Sequence, residues 1–316
     1  MHNPTTNSAD ISGWFLSDDF SSPKKFRVPT NTVIAPGGFV TFTELSFNQG
    51  GLGIALGSDG DAVWLFSGDA STNLTGWFHG FSFGAAQNGV SFGRYVNSVG
   101  DEHFVSQSTN TLGATNVLPR VGPVVIAEVM YHPLDIGGTN DNTFDEFIEL
   151  QNITSTNVAL SDPNPTNRLN TWRLRNAVDF NFPTNRTLAP GERLLVVGLD
   201  PADTNQLAAF RAKFAVPPAA AVLGPWSGKL DNFADAIELR RPNNPNGTNV
   251  PYILVERVAY PRERRHLAGV LAWEYSSARC RRSRVLRQPP LRCPRPRRVG
   301  GTKRVRTLLS GPTFRA

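Results

Sequence analysis

Short apolar runs alternate with polar positions through the first 260 residues, and Pro, Gly, Asn and Asp break them at close intervals. Asp145-Glu146-Phe147-Ile148-Glu149-Leu150 has the two-residue period of a half-buried strand. Phe39 to Phe42, Asp61 to Leu65, Val124 to Tyr131 and Leu194 to Val197 read as further strands. Many short strands separated by turn residues predict an all-β chain of packed sheets. One stretch differs. Leu207, Phe210 and Phe214 are spaced by three and four after Pro201-Ala202-Asp203, which predicts a short helix with Asp203 as its N-cap.

The strand pattern occurs twice. Pro29-Thr30-Asn31-Thr32-Val33-Ile34-Ala35-Pro36-Gly37 returns as Pro183-Thr184-Asn185-Arg186-Thr187-Leu188-Ala189-Pro190-Gly191, with six of nine positions identical. In each case an apolar run follows the Pro-Gly bend. Trp14-Phe15-Leu16 corresponds to Trp172-Arg173-Leu174, and Asp61-Ala62-Val63-Trp64-Leu65 to Asp235-Ala236-Ile237-Glu238-Leu239. Asn3-Pro4-Thr5 with Ile11-Ser12 corresponds to Asn152-Ile153-Thr154 with Leu160-Ser161. Four landmarks in the same order indicate an internal duplication. Only the second copy carries the leading segment Val124 to Leu150, so the first is expected to be a truncated copy.

The stretch Ile126 to Pro133 (IAEVMYHP), the strand D-E-F-I-E-L, Trp172, the L-A-P-G-E turn from Leu188 and G-K-L-D-N-F-A-D-A-I-E-L from Gly228 resemble the lamin tail domain family. The resemblance covers residues 124–260 well and 3–112 as a shortened copy. It implies two tandem immunoglobulin-like β-sandwiches, with residues 1–112 as the truncated domain, 113–123 as linker, 124–260 as the fuller domain and 261–316 as a tail. Bacterial members of the family imply a large secreted or cell-surface protein whose modules bind or space. No activity is implied. The alternative is a set of accessory domains beside an extracellular hydrolase whose catalytic part lies outside this chain. The first copy departs from the family by lacking the opening strands, and the second loses its character after Tyr260.

Charge changes the picture at the C-terminal end. Residues 262–316 hold 16 Lys/Arg against Glu263 and Glu274, leaving 16 basic and 24 acidic residues before them. The acidic body argues against nucleic acid as its partner, because phosphate contact needs a basic surface. The tail has no regular hydrophobic period and is expected to be disordered. In it Arg outnumbers Lys fifteen to one, as in text read out of frame from a GC-rich gene. A frameshift joining the body to a spurious tail is therefore the expectation, and a basic arm for nucleic acid or anionic membrane is the alternative. Cys280 and Cys293 both lie in the tail, so the body has neither a thiol nucleophile nor a disulfide framework. No apolar run is long enough to span a membrane.

Candidate chemistry in the body is sparse. The histidines His2, His79, His103, His132 and His266 form no zinc-hydrolase spacing. Glu128, His132, Asp145, Glu146 and Glu149 are the densest titratable group, and strand pairing offers a route to a divalent-metal site. Such residues are more often solvated sheet faces or partners of neighbouring loops. The loop from Gly137 to Asp145 supplies oxygens of the kind Ca²⁺ takes, but it lacks EF-hand spacing, and Asn/Asp capping of its own backbone is the simpler account. Gly57-Ser58-Asp59-Gly60-Asp61 is read as a turn. Gly51-Leu52-Gly53-Ile54-Ala55-Leu56-Gly57 has the wrong spacing for a phosphate loop. Trp77, Phe81 and Phe83 share a strand face and are expected to be core, with an aromatic platform for a glycan or a partner loop as the minority use. No residue is assigned a catalytic, cofactor or metal role, and the expected partner is an unidentified protein or glycan. Sequencing the locus tests the tail. The alternate frame beyond the codon for Tyr260 should resume family-like text, and a frame without it would show that the tail is genuine.

Overall fold

The computed structural model describes residues 1–47, 53–98 and 100–261. The first segment contains β1 (Ala9–Asp10), β2 (Phe15–Ser17), β3 (Phe26–Arg27), β4 (Val33–Ile34), the one-turn helix α1 (Glu44–Phe47), β5 (Gly60–Gly68), β6 (Leu74–Gly84), β7 (Phe92–Val96) and β8 (Glu102–Ser106). The second contains β9 (Val124–Met130), β10 (Phe147–Asn152), β11 (Val158–Ala159), β12 (Arg173–Asn176), β13 (Val178–Asn181), β14 (Thr187–Leu188) and β15 (Arg193–Val197). It continues through α2 (Thr204–Lys213), β16 (Ala221–Leu223), β17 (Ser227–Gly228), β18 (Ala234–Pro242) and β19 (Tyr252–Pro261). Pairing is antiparallel except between β15 and β16. The described residues are therefore all-β in class, with one substantial helix among them. The basic tail read from the sequence, with His266, Cys280 and Cys293, lies outside the described residues.

In the second segment two sheets face each other, ordered β16-β15-β10-β9 and β17-β13-β12-β18-β19. Ile148, Leu150, Leu194 and Val196 project inward from the first sheet, and Leu174, Val178, Ile237 and Leu239 from the second. Trp172, Phe182, Leu188 and Trp226 belong to the same core. The unbroken run Leu194 to Val197 is explained by burial on both faces. Leu194 and Val196 enter the inter-sheet core, while Leu195 and Val197 meet Phe210 of α2 on the outside. Asp203 caps that helix, its carboxylate accepting from the Asn205 and Gln206 amides, as the sequence predicts.

The first segment repeats part of this plan. Its sheet β3-β2-β5-β6 follows the order β13-β12-β18-β19, and the pair β1/β4 follows β11/β14. Registers agree as well: Leu16 pairs with Leu65 where Leu174 pairs with Leu239, and Ala9 pairs with Ile34 where Val158 pairs with Leu188. No counterpart of the sheet β16-β15-β10-β9 occurs among the described residues of the first segment. The hairpin β7/β8 instead packs across β6, with Phe104 stacked on Phe81 and Phe92 beside Phe83.

A buried amide fixes the crossover in both segments. Asn152 Nδ2 donates to the carbonyls of Thr156 (2.8 Å), Leu188 (3.0 Å) and Ala189 (3.0 Å), and its Oδ1 accepts from Thr154 N and Oγ1. Asn3 makes the same set with Asn7, Ile34, Ala35 and Thr5. The glycine of each Pro-Gly bend then donates its N–H to the carbonyl of that asparagine, Gly37 to Asn3 and Gly191 to Asn152. Gly37 (φ 67°) and Gly191 (φ 73°) sit in the left-handed region, which explains glycine at that place in both copies. The two Pro-Gly stretches thus occupy matching settings.

Side chains also join the two segments. Arg241 Nη2 donates to Gln87 Oε1 (2.8 Å), Asn243 Nδ2 to the Ala86 carbonyl (3.3 Å) and Asn249 Nδ2 to Asp59 Oδ2 (2.9 Å). The intervening stretch is itself hydrogen bonded, Ser108 N to Leu118 O and Arg120 N to Ser106 O.

Asn152→Ala should lower stability by about 2–4 kcal/mol, since buried carbonyls lose their donor. Asn152→Asp should be at least as damaging at neutral pH, because a carboxylate would face those carbonyls. Urea unfolding midpoints check both, and a change below about 0.5 kcal/mol would remove the amide from its structural role.

Candidate functional site

The sheet brings two of the carboxylates grouped in sequence together and separates the others. Glu128 and Glu149 stand directly opposite each other on β9 and β10, and Glu149 is bound by Arg193 of β15. Asp145 is paired with Lys213 of α2, while His132 lies beyond the end of β9, its ring near that of Tyr131. Glu146 turns to the other side of β10. Among the described residues no group of three or more His, Cys, Asp or Glu converges as a metal site would require. The cleft of about 560 Å³ between the outer sheet face and α2 is walled by Glu128, Glu149, Arg193, Leu195 and Phe214. Of its carboxylates, Glu149 is paired with Arg193 and Glu192, also in the wall, with Arg186.

The Asn/Asp loop serves as a clasp. Asn142 Nδ2 caps the Leu134 carbonyl (3.1 Å), as local capping predicts. Asp141 instead reaches a different loop, binding Lys229 Nζ (2.8 Å) and Asn232 Nδ2 (2.9 Å). These donors hold its carboxyl below the usual range. The carboxylates of Asp141 and Asp145 in this loop are engaged in protein contacts. Gly57 to Asp61 forms a turn, with the Gly57 N–H donating to Asp61 Oδ2 (2.9 Å), and Gly51 and Leu52 lie outside the described residues.

Glu146 is the unusual group. It is fully buried, and Oε2 accepts one hydrogen bond, from the Leu230 amide (3.0 Å). Its Oε1 has no hydrogen-bonding partner among the described residues. Burial pushes its pKa up to about 7; the Asp141 charge adds to the rise, while the Leu230 amide and Lys229 oppose it. Tyr260, stacked on Tyr131 with ring centroids 4.3 Å apart, has its hydroxyl pushed up by burial and by nearby acids, Glu146 among them. The alternation of D-E-F-I-E-L placed Glu146 on a strand face; that it is sealed inside follows from the return of the chain at Leu230, 84 residues later.

The first segment presents a groove of about 890 Å³ between β6, the β7/β8 hairpin and residues 39–42. Leu16, Val63, Leu65, Trp77, Phe81 and Phe104 line it. The expectation that Trp77 is core is overturned: it is 51% exposed, and Phe81 and Phe83 are half-buried. Among the described residues of the first segment no second sheet covers this face, and β7/β8 packs only over Phe81 and Phe83. At the rim Glu102 accepts from Arg94 and faces His79 Nε2 at 3.3 Å.

Comparison with models of known protein families finds no match to this chain, and comparison with curated proteins finds none either.

The Glu146 environment has a definite sign. A carboxyl raised in the folded state stabilises the fold fully below the unfolded value near 4.5 and loses that contribution as pH rises through about 7. The loss is on the order of 3 kcal/mol. Glu146→Gln keeps an acceptor for Leu230 without the ionisation, so its stability should fall less between pH 5 and 8. Urea midpoints across that range test this; parallel curves for the two proteins would refute it.

Proposed function

We propose that this chain consists of two lamin-tail-like, immunoglobulin-like sandwich modules, the first shortened, acting as a non-catalytic binding or spacer unit of a larger secreted or cell-surface protein. The observation that carries the modular reading is the repeated asparagine cage, since strand order, register and five side-chain hydrogen bonds recur together in the two segments. A spacer role is supported by how the polar side chains are used. Asp141, Asp145 and Glu149 each hold a cation from another element, which ties loops and strands together. The lamin-tail assignment and the extracellular setting rest on the sequence resemblance, and the partner class on the exposed aromatic groove of the first segment.

The test is twofold. Pulled by its ends in single-molecule force spectroscopy, the chain should unfold in two steps, the first segment at the lower force. Peptide, ester, phosphoester and glycoside probes should show no turnover above background. One all-or-none rupture would overturn the two-module reading. Turnover abolished by Glu128→Gln or Glu149→Gln would overturn the non-catalytic one.

A further inference from the structure

The outward face of the sheet β17-β13-β12-β18-β19 carries a charge pattern of its own. In β12 Leu174 enters the core, so Arg173 and Arg175 on either side of it point outward. Arg173 stands opposite Arg240 of β18, and Arg175 opposite Glu238. Glu238 in turn faces Arg257 of β19 at 3.6 Å. Asp179 of β13, beside the inward Val178, pairs with Arg175 at 3.5 Å. Four arginines therefore meet two carboxylates here.

Three of the four are engaged. Arg240 donates from Nε (2.8 Å) and Nη2 to Glu238, which Arg257 also approaches, and Arg175 donates to the carbonyls of Leu174 (2.7 Å) and Phe180 (3.2 Å). Arg173 is the exception. The centre of its guanidinium lies 3.3 Å from the centre of the Tyr252 ring, a cation–π contact that fixes the group in place. Its Nε is enclosed without an acceptor, and it makes no hydrogen bond or ion pair among the described residues. Burial lowers its pKa, the Arg175 and Arg240 charges add to the fall, and Tyr252 and Asp179 oppose it. A half-buried cation set directly opposite another cation, without a counter-charge, is an unfavourable arrangement that an anion relieves.

The chemistry of that anion follows from the surroundings. A guanidinium is a planar fork that matches the two oxygens of a carboxylate. Residues 1–261 hold 24 acidic and 16 basic residues, so a polyanion is repelled by the body, whereas a single carboxylate suits a local excess of two positive charges. Leu254, opposite Arg240 on β19 and 42% exposed, offers an apolar rest beside the charge. Residues 48–52 and 99 contain no acid, and residues 262–316, with 16 Lys/Arg against two Glu, carry the same sign as this face.

We propose that Arg173, held against Tyr252 and backed by Arg240, binds the carboxylate of an acidic side chain in a partner polypeptide, with an apolar neighbour of that side chain resting on Leu254. The site is built from side chains of the second segment alone and holds whether or not the modules are lamin-tail-like.

The test titrates the full chain with the blocked peptide acetyl-Leu-Glu-Leu-amide and follows the Arg173 Nε–H and Tyr252 ring signals by NMR. Both should shift saturably. The peptide with Gln in place of Glu should need at least about tenfold more, the loss expected for a charge-assisted hydrogen bond. Arg173→Lys keeps the charge without the planar fork and should weaken binding by about the same factor, and Arg173→Gln should abolish it. Arg257→Gln, on the same face but beside Glu238, should bind within about twofold of the unaltered chain, because its charge already has a partner. Tyr252 reports binding in each variant, and unchanged amide spectra away from the site show that each is folded. Equal binding of the Glu and Gln peptides, or unchanged binding by Arg173→Gln, would overturn the proposal. So would saturation by inorganic phosphate or galacturonate at the concentration the Glu peptide needs, since the site would then belong to a phosphate or an acidic sugar.

Discussion

The fold turns on one amide side chain per segment. Asn152 gathers carbonyls from Thr156 and from Leu188 and Ala189, stretches separated by more than thirty residues, and its backbone carbonyl receives Gly191. The end of β10, the β11/β14 pair, the Pro-Gly bend and the start of β15 are thereby fixed to one point. Once they are fixed, β15 has a single register against β10, and that register sends Leu194 and Val196 inward together with Ile148 and Leu150. A slip of one residue would reverse every one of these faces. Asn3 does the same work in the first segment, where the described residues form no second layer and the ladder registers are nevertheless the same.

Charge is used in this body to tie elements together. Lys213 on α2 holds Asp145, Lys229 holds Asp141, and Arg193 holds Glu149, each joining elements distant in sequence. Individually such exposed pairs contribute little. Their positions matter more, because two of them tie the loop before β10 to separate elements. Glu146 lies between those pairs in sequence but has no cation of its own, and the fold accommodates it by favouring its protonated form.

What the sequence made legible was local. The helix and its Asp203 cap could be read because spacing and capping are properties of neighbouring residues. The duplication could be read because the Pro-Gly bend needs glycine at a left-handed position and so resists substitution. The cage was visible in outline, as an Asn followed two residues later by Thr in both copies, but its function depends on carbonyls more than thirty residues away. Trp77 was misjudged for a related reason. Alternation assigns a side chain to a face and is silent about what lies across from that face; in the first segment the answer is a hairpin that reaches Phe81 and Phe83 but leaves Trp77 exposed. The separate settings of Glu146 and Glu149 were hidden similarly, since proximity in sequence does not say which carboxylate is sealed and which is bound by arginine.

The caged asparagine also has a covalent consequence. Asn152-Ile153-Thr154 spells the acceptor triplet for N-linked sugar, yet its amide nitrogen is spent on three carbonyls and the residue is wholly enclosed. In any compartment that carries the transferase, glycan attachment at this position and completion of the sandwich exclude each other, so the order of the two events would decide the fate of the molecule. The matching site in the first segment reads Asn3-Pro4-Thr5, where proline closes the triplet to the transferase from the outset.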